Sequence, residues 1–139
     1  MENVAVLSED LAALNRISEA LNREADVTGA LNSALPLLVE LMGLETAWIS
    51  LVNRSPMDRA GMESFSLAAH CNLPPGLSPQ KAEVWSHRCT CQDLLRDGKL
   101  NEAYTEVSCS RLANLEGDRT DLAVHASTPL VSGDRQLGI

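Results

Sequence analysis

Basic residues and long apolar runs are scarce in this sequence. Lys and Arg total 11 against 19 Asp and Glu, so the formal net charge is -8. A chain this acidic repels phosphate backbones and anionic membrane surfaces, and we expect neither nucleic acid nor membrane as a partner. The most apolar stretch, around residues 35–42, is far shorter than the roughly 20 residues of a membrane-spanning helix. The N-terminus also lacks the basic region of a signal peptide. These two observations together predict a cytoplasmic protein.

The common catalytic motifs are absent as well. The sequence contains no serine–histidine–acid motif, no phosphate-binding loop and no metalloprotease helix. Its acidic residues are numerous but scattered, which is typical of a solvated surface. With 139 residues, 45% of them hydrophobic, the chain can bury a core as one domain over residues 1–139. We therefore expect a binding domain rather than an enzyme.

Two amphipathic helices are predicted in the N-terminal part. Apolar residues recur every three or four positions over residues 8–23, behind Ser8 as N-cap. A second helix is predicted over residues 26–42, with Gly43 placed to end it and Pro36 expected to kink it. Leucines one heptad apart in the first helix either continue a coiled coil, which predicts a homodimer contact, or belong to ordinary core packing. These leucines are Leu7, Leu14 and Leu21.

A hairpin follows the helices. Apolar and polar residues alternate over residues 47–52 and again over residues 65–70, which predicts two strands. Residues 53–63 contain proline, glycine and several charges, as expected of the loop that joins them.

The second half of the chain predicts an irregular segment and a second hairpin. Residues 77–121, which we call the cover segment, give no strong strand signal and only short helices near residues 79–86 and 91–96. A strand is then predicted over residues 122–130, followed by a turn and a strand that starts at Arg135. That strand has no stop signal before the chain ends, so we expect the domain to continue.

Several segments resemble a GAF domain of the kind found in bacterial sensor histidine kinases. They are LNRISEALN at residues 14–22, the helix over residues 30–43, and HASTPL and GDRQLGI at residues 125–130 and 133–139. The middle resembles a subgroup with cysteines in the cover segment. Its matching motifs are NLPP at residues 72–75, CTC at residues 89–91 and CSRL at residues 109–112.

The resemblance implies an α+β fold. A central antiparallel sheet would carry the N-terminal helices on one face and the irregular helical cover on the other, enclosing a ligand pocket. It also implies a sensory input domain of a two-component system, with kinase output domains elsewhere in the parent chain. The family's last strand, its exit helix, the phosphoacceptor and the ATP-binding region are all missing here. We therefore expect no catalytic activity from this fragment.

Four cysteines are the main candidates for chemistry. In the cytoplasm they are expected to stay reduced, which favours a metal, redox or packing role over structural disulfides. Four thiolates suit zinc or an iron–sulfur cluster, although a single residue between two cysteine ligands is a rare spacing. Buried inert thiols and a redox disulfide are the alternatives. The predicted metal ligands are Cys71, Cys89, Cys91 and Cys109.

Two further residues are candidates for binding a small ligand. His125, in a predicted strand, either faces the ligand pocket or makes an ordinary core hydrogen bond. Trp85, four residues before Cys89, can shield a site from water. His70 and His87 each lie within two residues of a cysteine and can replace one as a metal ligand.

An enzymatic alternative uses the same cysteines. Free methionine-R-sulfoxide reductases have the fold implied by the resemblance and place a nucleophilic and a resolving thiol in the cover segment. In this chain the pair would be Cys89 or Cys91 with Cys109. The kinase-like sequence around these residues favours the sensor.

Overall fold

The structure, a computed structural model, describes residues 2–53, 64–107 and 109–139. It contains both helices and antiparallel sheet, so the predicted α+β class is confirmed. The chain divides into two compact units. The helical unit comprises Met1–Trp48 and Ala68–Asn72, and the sheet unit comprises Ile49–Leu67 and Leu73–Ile139. None of the helices in the described ranges is long and apolar enough to cross a membrane.

Helix α1 (Glu2–Arg23) and helix α2 (Val27–Met42) form most of the helical unit. The predicted start of α1 at Ser8 is wrong, because the helix already begins at Glu2. No proline or glycine interrupts the preceding residues, so nothing local stops the helix from extending there.

The ends of α2 are as predicted. The Asp26 carboxylate accepts a hydrogen bond from the backbone N–H of Gly29 at 2.7 Å, which caps the first turn. Gly43 has a φ of 63°, the left-handed conformation that ends many helices. Pro36 lies within α2, which continues through it.

One face of α1 packs on α2 and the opposite face is exposed. Ala13, Ile17 and Ala20 are the half-buried positions of α1, and Arg16 forms an ion pair with Glu40 of α2 at 3.8 Å. The apolar residues of the exposed face recur at heptad spacing, and we call them the α1 stripe: Val4, Leu7, Leu11, Leu14 and Leu21.

Four strands form the main antiparallel sheet. They are β1 (Ala47–Asn53), β2 (Ser64–Cys71), β5 (Leu130–Ser132) and β6 (Arg135–Gly138), in the order β2-β1-β6-β5. β1 lies antiparallel to β6, and Ser50 and Ile139 exchange both backbone hydrogen bonds at 2.9 Å. A Cβ atom at Gly138 would collide with the carbonyl oxygen of Ser50, so this pairing requires glycine.

A two-stranded sheet joins β3 (Tyr104–Val107) to β4 (His125–Ser127). The cover segment was predicted to contain only short helices and no strand. This prediction is wrong, since β3 lies there. The single strand predicted over residues 122–130 is also wrong, because β4 and β5 are separate. Pro129 lies between them, and a proline has no N–H for a continuous ladder.

Short helices make up the rest of the cover segment. A 3-10 turn spans Pro75–Leu77, and α3 (Ala82–Ser86), α4 (Thr90–Arg96) and α5 (Ser110–Ala113) follow. The core of the sheet unit contains four leucines that are almost fully buried: Leu77, Leu95, Leu100 and Leu112. The predicted loop over residues 53–63 lies, beyond its first residue, outside the described residues.

Candidate functional site

Two helix starts in the sheet unit place three of the predicted cysteines. Cys89 is the N-cap of α4, Cys91 lies in its first turn, and Cys109 is the N-cap of α5. The backbone N–H of Thr90 donates to the hydroxyl of Ser110 at 3.0 Å, which joins the two helix starts. The chain therefore brings thiols from positions far apart in sequence to one place.

The three thiols hydrogen-bond to one another, and we call them the thiol cluster. Cys91 interacts with both Cys89 and Cys109, and Cys109 also interacts with Cys89. All three residues are buried, and none is in a disulfide. Cys71 lies in the helical unit as the last residue of β2, half-buried, with its carbonyl oxygen accepting a hydrogen bond from Thr46 at 3.0 Å.

The thiol cluster stabilises a negative charge on Cys109. Hydrogen bonds from Cys89 and then from Cys91 lower the pKa of Cys109 far below that of an ordinary thiol, and the backbone N–H groups of Arg111 and Leu112 add to the shift. Burial opposes this shift and is outweighed. Cys109 is therefore the member of the cluster that most readily carries a negative charge.

Cys91 has the opposite tendency. Its hydrogen bonds to Cys109 and Cys89, together with burial, raise its pKa well above the ordinary value. The hydroxyl of Ser127 acts against this rise, because it donates a hydrogen bond to the Cys91 sulfur at 3.4 Å. Cys91 thus holds its proton more strongly than Cys109 does.

His125 lies beside the thiol cluster. Its Nε2 atom is 4.0 Å from the sulfur of Cys91, and its Nδ1 atom is 3.1 Å from the hydroxyl of Ser127. Ser127 therefore contacts both the histidine ring and the thiol. The sequence singled out His125 but not Ser127. Residues two apart on one strand point to the same side of a sheet, so the position of Ser127 beside His125 was predictable.

Trp85 lies in α3 and is held by a buried arginine. The indole N–H donates to the carbonyl oxygens of Leu77 and Ser78 at 3.2 Å. The guanidinium of Arg111 lies over the ring at 4.9 Å from its centre, a cation–π contact.

Arg111 also connects α3 to the thiol cluster. Its guanidinium donates to the carbonyl oxygens of Val84 and His87, while its backbone N–H hydrogen-bonds to Cys109. The sequence reasoning noted Arg111 only as a basic neighbour of Cys109. Its spacing from Trp85 in sequence gives no sign of the contact.

The donor atoms of the thiol cluster have the chemistry of a soft-metal site. Thiolate sulfur and imidazole nitrogen are the ligands that zinc prefers, and thiolates hold iron–sulfur clusters. In the described ranges, however, no group of three or more histidine, cysteine or carboxylate residues is arranged to hold a metal ion. The ligand type fits a metal, and the arrangement of the described side chains does not.

A comparison with characterised proteins gives a relative from Bacillus subtilis (strain 168), the protein named "Sensor histidine kinase YhcY". The two sequences are 32% identical over 136 residues, which is 94% of this chain and 34% of the relative. The chain is similar to one part of a sensor histidine kinase. It spans about a third of the length of that relative. No family model and no solved structure matches the chain.

Proposed function

We propose that the chain is a sensory input domain of a two-component sensor histidine kinase, of the GAF type. The observation that carries this proposal is the similarity along nearly the whole chain to a third of a sensor histidine kinase. A segment of this size is the size of one domain, and the catalytic motifs are absent from it. Kinase output domains of a parent chain would then be its partners.

The thiol cluster is the receptor of the signal in this proposal. Three buried thiols with a charged member, a nearby imidazole and a backbone that stabilises the charge form an unusual concentration of reactive groups. A signal received there would pass to the terminal helices and change their geometry.

We propose that zinc or an iron–sulfur cluster is held by these thiols together with Cys71. The thiolate chemistry supports this, and closing the site would require movement of the described side chains, since they are not arranged as a metal site. Cys71 belongs to the helical unit, and its approach to the thiol cluster stays a prediction. Should the thiols hold no metal, a small ligand in the pocket of the sheet unit is the alternative input.

Elemental analysis and visible absorption of anaerobically purified chain test the metal proposal. An iron–sulfur cluster gives iron, sulfide and visible absorption, while zinc is colourless and countable. Either result should disappear in Cys109→Ser and persist in Ser132→Ala, which alters an exposed serine of β5. A folded, metal-free chain with all four thiols reduced would contradict the proposal.

The reductase alternative predicts turnover by the isolated chain. The lowered pKa of Cys109 favours its thiolate form, the form that acts as a nucleophile. We expect no reduction of free methionine sulfoxide by the chain with a thiol reductant. Turnover that is lost in Cys109→Ser would replace the sensor proposal by an enzymatic one.

We also propose that α1 joins two copies of the chain. The α1 stripe leaves Leu7 66% and Leu11 61% exposed, and apolar residues at these heptad positions form the seam of a coiled coil. Of the two rows of positions that flank this seam, one is uncharged (Ser8, Asn15 and Asn22) and the other includes Asp10.

A further inference from the structure

A cavity of about 410 Å³ in the sheet unit lies against Trp85. Phe65 of β2 and Trp85 of α3 contribute aromatic surfaces to its wall, and Gln92 of α4 lies on the same wall. A volume of this size falls within the range of small-molecule sites, about 300–1,000 Å³. Such sites combine apolar or aromatic walls with a few oriented polar groups; here the two aromatic side chains stand among polar ones.

Gln92 is the oriented polar group. Only 3% of the residue is exposed, and its side-chain oxygen accepts a hydrogen bond from the backbone N–H of Cys89 at 3.3 Å. That bond fixes which end of the amide faces away from α4. Within the described part of the chain, the side-chain N–H groups of Gln92 donate to no acceptor. An oxygen atom of a ligand in the cavity can accept a hydrogen bond from this amide.

The charge of the cavity wall favours an anion. Arg88 and His87 lie on the wall, and no acidic residue of the described chain does. The larger groove nearby, of about 470 Å³, is lined by both acidic residues, Glu83 and Glu116, and basic ones. Arg88 pairs with Asp93 at 3.4 Å, but both side chains are more than a third exposed, and such surface pairs are weak. Arg88 can therefore exchange this contact for a bound anion.

We propose that this cavity binds a small planar aromatic carboxylate. The ring lies against Phe65 and Trp85, one carboxylate oxygen accepts from the amide of Gln92, and Arg88 balances the charge. Trp85 is held in place for this role by its indole hydrogen bonds to the 3-10 turn and by Arg111. The site is separate from the thiol cluster, yet Gln92 touches the backbone of Cys89. The cavity and the thiol cluster therefore adjoin each other at Gln92 and Cys89.

Isothermal titration calorimetry of the 139-residue chain with benzoate tests the proposal. We expect saturable one-to-one binding of benzoate and binding at least about tenfold weaker for cyclohexanecarboxylate, which has the same charge but no planar ring, and for uncharged benzamide. Fluorescence of the Trp48→Phe chain, in which Trp85 is the remaining tryptophan, should change on addition of benzoate. A folded chain that gives no binding heat with benzoate would overturn the proposal.

Variants locate the bound carboxylate. Gln92→Glu keeps an oxygen for the N–H of Cys89 but replaces the donor by a negative charge, so benzoate affinity should fall at least about tenfold. Arg88→Gln should weaken the binding of benzoate to a similar extent and leave the binding of benzamide unchanged. Arg135→Gln removes an equal charge from an exposed position of β6 and should have no effect. Thermal unfolding identifies any variant that fails to fold, and equal benzoate affinity in folded Arg88→Gln and Arg135→Gln would contradict the site.

Discussion

The helical unit and the sheet unit use their apolar residues in opposite ways. The helical unit buries few side chains, among them Leu35 and Val39, and leaves the α1 stripe exposed. The sheet unit contains the buried thiol cluster and nearly fully buried leucines such as Leu95 and Leu112. Apolar residues therefore stabilise a fixed site in one unit and are available for association in the other.

The largest effect is expected from the leucines of the sheet unit. Leu112→Ala should lower the free energy of unfolding by about 2–5 kcal/mol, because it leaves a cavity in a packed core. Leu11→Ala, in the α1 stripe, should change it by less than about 0.5 kcal/mol at concentrations where the chain is monomeric. Urea denaturation measures both values. Equal losses in the two variants would remove the contrast between the units.

For self-association, in contrast to stability, the α1 stripe should have the larger effect. Leu11→Asp should abolish self-association in analytical ultracentrifugation, because it places a charge in the proposed coiled-coil seam. Glu9→Lys, which alters α1 outside the heptad positions of the stripe, should leave association unchanged. A wild-type chain that stays monomeric at high concentration would contradict the dimer proposal.

The pH dependence of stability should reveal the unequal thiols of the reduced, metal-free chain. The lowered pKa of Cys109 means that the unfolded chain binds the extra proton, so stability rises with pH up to the ordinary thiol value near about 8.5. The raised pKa of Cys91 has the opposite sign, so stability falls above that value. Each limb has a maximal slope of about 1.4 kcal/mol per pH unit.

Two serine variants separate the limbs of this profile. Cys109→Ser should remove the rise below the maximum and also weaken the fall above it, because Cys109 is the main partner that raises the pKa of Cys91. Cys91→Ser should remove the fall and keep most of the rise, because Cys89 contributes most to lowering the pKa of Cys109. Denaturant midpoints measured from pH 6 to 10 give the profiles. The prediction would be wrong if both variants kept the wild-type shape.

The smallest effect concerns Ser127. Ser127→Ala removes the hydroxyl that donates to Cys91 and lies near His125, and it should cost about 1 kcal/mol of stability. Ser132→Ala, at an exposed position of β5, is the matched control and should cost nothing measurable. Chemical denaturation of the two variants checks the difference.

Local chemistry decided which elements could be predicted. Asp26 and Gly43 mark the ends of α2 through hydrogen bonds and backbone geometry within a few residues, and such signals are readable in a sequence. β3 is different, because its stability depends on pairing with β4 about twenty residues later along the chain. The proline that separates β4 from β5 was visible, but the alternation around it favoured one long strand.

The candidate site likewise contains some residues that the sequence could identify and others that it could not. The cysteines and His125 were identifiable by residue type, and Ser127 follows from the twofold period of a strand. Cys89 and Cys109 meet where Thr90 hydrogen-bonds to Ser110, a contact that spacing alone does not reveal. Gln92 and Arg111 acquire their roles through burial, a property of the folded chain.

The central claim, that the thiol cluster receives the signal, is tested most directly by hydrogen–deuterium exchange. Anaerobically purified chain is compared with the same chain after exposure to air. The account predicts faster exchange around residues 89–92 and 109–112 together with a change in α1, since oxidation would disturb the helix starts that hold the thiols. The same shifts should be absent in Cys109→Ser. Identical exchange at the thiol cluster before and after air, in a chain whose metal content or thiol state has changed, would contradict the claim.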